Sequence, residues 1–182
     1  MHQDLEKVLI SKEEIDAKVK EIAAELDRDY AGKQPLMLCI LKGSVLFFSD
    51  IIRAMKIPLE IDFMAISSYG TGTTSGEVKL VKDLDRSIEN KHVVIVEDIV
   101  DTGHTLFYLK RMLNQRHPAS IKVCALLDKF ERREADVAAD YKAFDIANEF
   151  VVGYGLDYAQ KYRNLPEIGV LKREIYLSLI HI

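Results

Sequence analysis

Only two of the 182 residues are cysteine, four are proline and nine are glycine. So few cysteines exclude a disulfide-stapled miniprotein, and so little proline and glycine excludes collagen-like and low-complexity chains. Cys39 and Cys124 each sit inside an apolar run without metal-like partner spacing, which fits reduced core thiols of a cytoplasmic protein. No apolar run approaches the roughly 20 residues of a membrane span, so no membrane partner is expected. Met1 to Ile10 carries Asp4, Glu6 and Lys7 where a signal peptide would be apolar. Positive charge is also short: 25 Lys and Arg against 29 Asp and Glu leave a net charge of −4, which argues against a nucleic-acid partner. What is present, 48% hydrophobic and 30% charged residues, describes a globular chain. Its length suits one domain spanning residues 1–182.

Periodicity organises that domain. Ser11 and Glu14 form a capping box, and Ile15, Val19, Ile22, Leu26 and Tyr30 follow at helical spacing until Gly32 and Pro35. Leu36 to Leu41 reads as a buried strand, and Val45, Phe48, Ile51, Ile52 and Met55 as one helix face ending before Pro58. Leu59 to Tyr69 and Val78 to Leu84 read as strands around the Gly- and hydroxyl-rich stretch Gly70 to Gly76. His92 to Val96 is an apolar strand expected to end at Glu97-Asp98, followed by a helix bearing Leu106, Leu109, Met112 and Leu113. Ile121 to Leu127 and Phe150 to Val152 are further strands. Continuous apolar strands alternating with amphipathic helices predict an α/β fold with a mostly parallel central sheet flanked by helices.

Ligands of such sheets bind outside the carboxyl ends of the strands. Sequence breaks fall at Lys42-Gly43, Glu97-Asp98, Asp128-Lys129 and Gly153 to Asp157, so the chemistry is sought there. The most informative string is Val96 to Thr105, reading Val-Glu-Asp-Ile-Val-Asp-Thr-Gly-His-Thr. A turn through Gly103 into a helix offers unpaired N–H groups, and Thr102 and Thr105 offer hydroxyls, a combination that suits a phosphate monoester. Glu97 and Asp98 accept hydrogen bonds only, so they suit sugar hydroxyls or Mg²⁺. Together these describe a cradle for a ribose 5-phosphate.

This string resembles the phosphoribosyl-pyrophosphate signature of the type I phosphoribosyltransferases. From about Leu36 to Ile168 the chain is similar to the hypoxanthine-guanine phosphoribosyltransferases of purine salvage. Ile40-Leu-Lys-Gly43 resembles their pyrophosphate loop, Ser68-Tyr69 their mobile loop and Leu126-Leu-Asp-Lys129 their base-reading lysine. Phe150 to Tyr158 resembles the purine-holding hood, and Tyr162-Arg163 the arginine that reaches pyrophosphate. The resemblance implies a small hood built from N- and C-terminal segments, a mobile loop acting as a lid, a cis Leu41–Lys42 peptide and association into dimers or tetramers. It implies that phosphoribosyl pyrophosphate and a six-oxopurine, hypoxanthine and guanine, give the nucleoside 5′-monophosphate and pyrophosphate with Mg²⁺.

In that reaction Asp101 is the catalytic residue, taking the proton of the attacking imidazole nitrogen. Glu97, Asp98, Asp101, Thr102, Gly103, His104 and Thr105 hold the phosphoribosyl group, with His104 contributing mainly its backbone. Lys42, Gly43, Ser68, Tyr69 and Arg163 serve pyrophosphate; Lys129, Phe150, Val151 and Asp157 serve the purine; Glu97, Asp98 and Asp157 serve the metal. Lys129 is a fixed donor that favours a six-oxo acceptor over the amino group of adenine. A nucleotide-sensing RNA-binding regulator, a xanthine-preferring transferase and a phosphoryl-aspartate signalling domain are the competing readings. His92, His117 and His181 have no ligand spacing, and the charge run Glu131-Arg-Arg-Glu134 reads as a solvated face. Tyr176 to Ile180 suits an edge strand or an oligomer contact.

Overall fold

A computed structural model describes residues 1–69 and 77–177, without the side chains of Ser68, Tyr69 and Glu77. Of the stretch Ser68 to Gly76 read as the lid, Gly70 to Gly76 lies outside the described residues, as does the tail beyond Leu177. Helix α1 (Lys12–Asp29) begins at the predicted capping box. The Ser11 hydroxyl accepts from the Glu14 amide at 3.2 Å and the Glu14 carboxylate accepts from the Ser11 amide at 2.8 Å. Two orphan amides of the first turn are thereby satisfied.

Strands β1 (Leu5–Ile10) and β2 (Leu36–Leu41) flank α1; α2 (Val45–Ala54), β3 (Glu60–Tyr69), β4 (Glu77–Lys82) and β5 (His92–Val100) follow. Then come α3 (His104–Asn114), β6 (Ser120–Asp128), β7 (Tyr141–Asp145), β8 (Val151–Val152), β9 (Ile168–Leu171) and α4 (Arg173–Leu177). Six strands form the main sheet in the order β4-β3-β2-β5-β6-β7. All its pairings are parallel except β3 with β4 at one edge.

Both faces are covered, as continuous apolar strands require. Along β2, Met37 and Cys39 point into one core with Ile15, Leu26, Phe47 and Ile51 of α1 and α2. Leu36, Leu38 and Ile40 point into the other with Leu106, Leu109 and Leu113 of α3. Wholly buried side chains such as Leu38, Phe47 and Ile51 each contribute roughly 1.5–3 kcal/mol. Cys39 and Cys124 are free and buried, and burial pushes the Cys39 thiol up to about 11 and that of Cys124 higher still. Among the described residues no helix is long and apolar enough to cross a membrane.

A second, antiparallel sheet in the order β1-β9-β8 joins the two ends of the chain around Leu5, Val152, Leu165 and Leu171. Several boundaries differ from the sequence reading. Strand β5 does not end at Glu97-Asp98: it runs on to Val100, with Ile99 opposite Leu127 and Val100 opposite Asp128 on β6. The acids are therefore carried on the strand itself. Gly153 to Asp157 follows β8 of the second sheet and is not a parallel strand end. Tyr176 belongs to the short helix α4, not to an edge strand.

Candidate active site

The carboxyl ends of β2, β5 and β6, neighbours in the sheet, converge on one rim. They deliver Lys42-Gly43, Asp101 to Thr105 and Asp128-Lys129. The β5–β6 register continues past the strands, because the Lys129 amide donates to the Val100 carbonyl at 2.9 Å. Asp101 and Lys129 thus stand side by side. Lys129 is buried, which pulls its ammonium pKa down, while the Asp101 carboxylate works in the opposite direction. Asp101 Oδ1 is sealed from solvent and accepts no hydrogen bond. Arg132 Nε lies 3.2 Å from it, in ion-pair contact but not aligned as a donor. The Asp101 side chain nevertheless keeps 38% of its surface, so its other carboxylate oxygen is the one an incoming N–H can reach.

Beside this pair the chain turns into α3. Residues Glu97 to Gly103, Thr105 and Leu106 line a cleft of about 230 Å³. Gly103 caps the helix at φ 88, and a Cβ there would fall 2.6 Å from Val137 Cγ2 and 3.0 Å from Arg133 Cδ. Only glycine fits that turn. No side chain caps the first amides of α3, so they remain donors facing the cleft with the positive end of the helix dipole. His104 points instead to Glu134, with Nε2 2.7 Å from Oε2, which leaves its backbone to the turn.

Glu97 and Asp98 form the floor. Burial and repulsion from Asp98 hold the Glu97 carboxyl well above its ordinary value, and burial does the same to Asp98 against the pull of Arg163. A folded-state pKa above the unfolded one costs stability as pH rises past the ordinary carboxylate range, because the unfolded chain gives up the proton first. Glu97→Gln, which cannot ionise, is therefore expected to raise the thermal midpoint at pH 8. At pH 4 it should leave the midpoint unchanged. Parallel unfolding curves at the two pH values check this; an equal shift at both contradicts it.

Such a pair suits a divalent cation, which relieves the repulsion that burial amplifies. Among the described residues no group of three or more His, Cys, Asp or Glu encloses a metal position. Mg²⁺ needs none, since one or two carboxylates plus substrate oxygens and water are its usual shell. Asp157, the third candidate, has both oxygens engaged: Oδ1 lies 2.9 Å from Arg163 Nη2 and Oδ2 accepts from the Gln160 amide at 2.8 Å.

The Leu41–Lys42 peptide is cis, and Lys42 is exposed while Gly43 is buried. A Cβ on Gly43 would lie 1.7 Å from Asp98 Oδ2, and one on Gly155 would lie 2.1 Å from the Gly43 carbonyl oxygen. The loop is thus wedged between the acid pair and the segment after β8. Gly43→Ala is expected to displace Asp98 and cut turnover by about 100-fold, the scale of a misplacement near 1 Å. Steady-state rates on a variant shown folded by circular dichroism check it.

Arg163 donates from Nη1 to the Gly155 carbonyl at 2.7 Å and pairs with Asp157, so it faces the loop and Asp98 rather than Glu167. Glu167 instead lies 2.5 Å from His2. Val151 is buried on β8, and Phe150 just before it stacks on Tyr176 at 4.7 Å while keeping 38% of its surface. Ser68 and Tyr69 end β3, with their side chains outside the described residues.

Within the charge run after Lys129, Glu131, Arg132 and Glu134 are exposed, as expected of a solvated face, whereas Arg133 turns inward with 11% of its side chain exposed and holds Asp128. A short 3₁₀ turn at Phe130–Arg132 folds Arg133 back onto the rim, where Arg132 also reaches Asp101.

A model of the family described as phosphoribosyl transferase domain matches residues 11–159. The chain belongs to the phosphoribosyltransferase family, a class of pentosyltransferases. It is 54% identical to the hypoxanthine-guanine phosphoribosyltransferase of Streptococcus agalactiae over 97% of this chain and 98% of that one. Its likeness to the enzyme of the same name from Streptococcus thermophilus is 51% over the same shares. The crystal structure of a hypoxanthine phosphoribosyltransferase from Staphylococcus aureus superposes with a TM-score of 0.94 at 51% identity, covering 97% of this chain and 96% of that one. These relatives favour neither an RNA-binding regulator nor a phosphoryl-aspartate domain.

Proposed function

We propose that this phosphoribosyltransferase works in purine salvage, joining hypoxanthine or guanine to phosphoribosyl pyrophosphate. The C1–oxygen bond to pyrophosphate breaks, a C1–nitrogen bond to the purine imidazole forms, and the displaced N–H proton passes to Asp101. The observation that carries the reading is the Asp101 carboxylate, whose side chain keeps 38% of its surface, beside the buried ammonium of Lys129. One group accepts a proton from the five-membered ring while the other donates to the six-oxo group, so the purine is read at both ends.

The α3 turn, through its amides and the hydroxyls of Thr102 and Thr105, takes the 5′-phosphate. Glu97 and Asp98 orient the ribose hydroxyls. Lys42, the Gly43 amide and Arg163 offset the charge that grows on departing pyrophosphate. Glu97 and Asp98, together with Asp157, would hold Mg²⁺, which would supply further neutralisation of that charge. The three-stranded sheet acts as the hood, with Val151 and the free surface of Phe150 against the base. The free buried thiols Cys39 and Cys124 suit a cytoplasmic enzyme, and a homodimer or homotetramer is its proposed assembly.

The test mixes the protein with phosphoribosyl pyrophosphate, Mg²⁺ and one purine at a time. Hypoxanthine and guanine should be consumed and adenine left, since its amino group would face the Lys129 donor. Faster use of xanthine than of either would assign the xanthine-preferring activity instead, and use of adenine would remove Lys129 from its role.

A further inference from the structure

The segment behind Lys129 is bolted to the phosphate turn more heavily than a connecting loop requires. Arg133 sits at the joint with only 11% of its side chain exposed. Its Nη2 bonds the buried carboxylate of Asp128, the residue before Lys129. Its Nε donates to the Asp101 carbonyl at 3.2 Å, and its Nη1 donates to the Val137 carbonyl at 2.7 Å. Its stem fills the space that a Cβ on Gly103 would occupy. Amides on either side of it repeat the link, Lys129 to Val100 at 2.9 Å and Glu134 to Thr102 at 2.9 Å.

One guanidinium therefore touches the residue next to the base-reading lysine, the backbone of the proposed general base and the glycine of the phosphate turn. A planar fork of donors can hold three directions at once, which an ammonium cannot. We propose that Arg133 is a positioning residue that fixes the spacing between the purine-reading and phosphate-binding halves of the site. The inference rests on the function proposed above. Arg133 itself touches neither ligand: it acts through Asp128 and through the carbonyl of Asp101. Ligands that span both halves depend on that spacing, whereas ligands confined to one half do not.

The experiment compares two dissociation constants in wild type and in Arg133→Gln, measured by titration calorimetry well below the thermal midpoint of each. One ligand is IMP, which spans both halves, and the other is ribose 5-phosphate, which occupies one. The variant should bind IMP roughly tenfold more weakly or worse and ribose 5-phosphate within about twofold of wild type, as a displacement of one half against the other requires. Equal weakening of both ligands, or of neither, overturns the proposal. Should Arg133→Gln fail to fold, the same comparison is made with Arg133→Lys, which keeps the charge beside Asp128 and loses the fork. Failure of both variants to fold shows a purely structural role and also overturns it. Wild-type protein that does not bind IMP at all refutes the proposed function instead, so the two failures are separable.

Discussion

Asp101→Asn should turn over hypoxanthine and phosphoribosyl pyrophosphate about 10²- to 10⁴-fold more slowly than the parent, the range that a positioned general base contributes. The amide keeps the shape of the side chain and can still accept one hydrogen bond, but it cannot take the proton that leaves the imidazole nitrogen. Affinity for phosphoribosyl pyrophosphate should change little, because in the proposed site the phosphate rests on backbone amides and the hydroxyls of Thr102 and Thr105. A fall in kcat with KM almost unchanged is the signature of a group that acts mainly in the transition state. Wild-type turnover by the variant removes Asp101 from catalysis.

Lys129→Gln comes second in size. A hydrogen bond from a charged donor contributes about 1.5–3 kcal/mol, which corresponds to a loss of roughly 10- to 100-fold in kcat/KM for the purine. Lys129 is buried beside Asp101, so the substitution also removes one of the two positive charges next to that carboxylate, leaving Arg132. The KM for phosphoribosyl pyrophosphate should stay within about threefold, since the proposed role of Lys129 is toward the purine and not the phosphates. Equal losses for both substrates would mean that Lys129 supports the rim rather than reading the base. Adenine use should not improve in compensation unless the amide of the new glutamine turns its oxygen toward the amino group, an outcome that initial rates with adenine measure directly.

The parts of the fold that carry a strong local signal were legible in the sequence. The capping box Ser11-Glu14, the apolar strands β2, β5 and β6 and the glycine at the head of α3 each announce themselves through residue type and spacing. Strands β1, β7 and β9 do not. In β1, Glu6, Lys7 and Val8 are exposed in succession, so the alternation of a half-buried strand is absent. β9 is four residues of apolar sequence whose partners lie at the far end of the chain, and β7 is an edge strand of five. Tertiary pairing makes these strands, and no local pattern encodes it.

The site divides along the same line. The phosphate turn and the acid pair are contiguous, so their chemistry is written in one string. The adjacency of Asp101 and Lys129 depends on β5 running two residues past Asp98 in register with β6, a matter of pairing rather than composition. Arg133 departs from its charge run because the turn at Phe130–Arg132 folds it inward while Glu131, Arg132 and Glu134 face solvent as such runs usually do. Its buried partner Asp128 is what separates a structural arginine from a solvated one, and that pairing is visible only in three dimensions.

The measurement that bears most directly on the whole account is a crystal structure of the protein with bound IMP. The account places the six-oxo oxygen within hydrogen-bond reach of Lys129 Nζ, the imidazole edge against the Asp101 carboxylate, and the phosphate on the amides that open α3. A purine bound with its oxo group turned away from Lys129, or a nucleotide seated outside the cleft between Glu97 and Leu106, would contradict it.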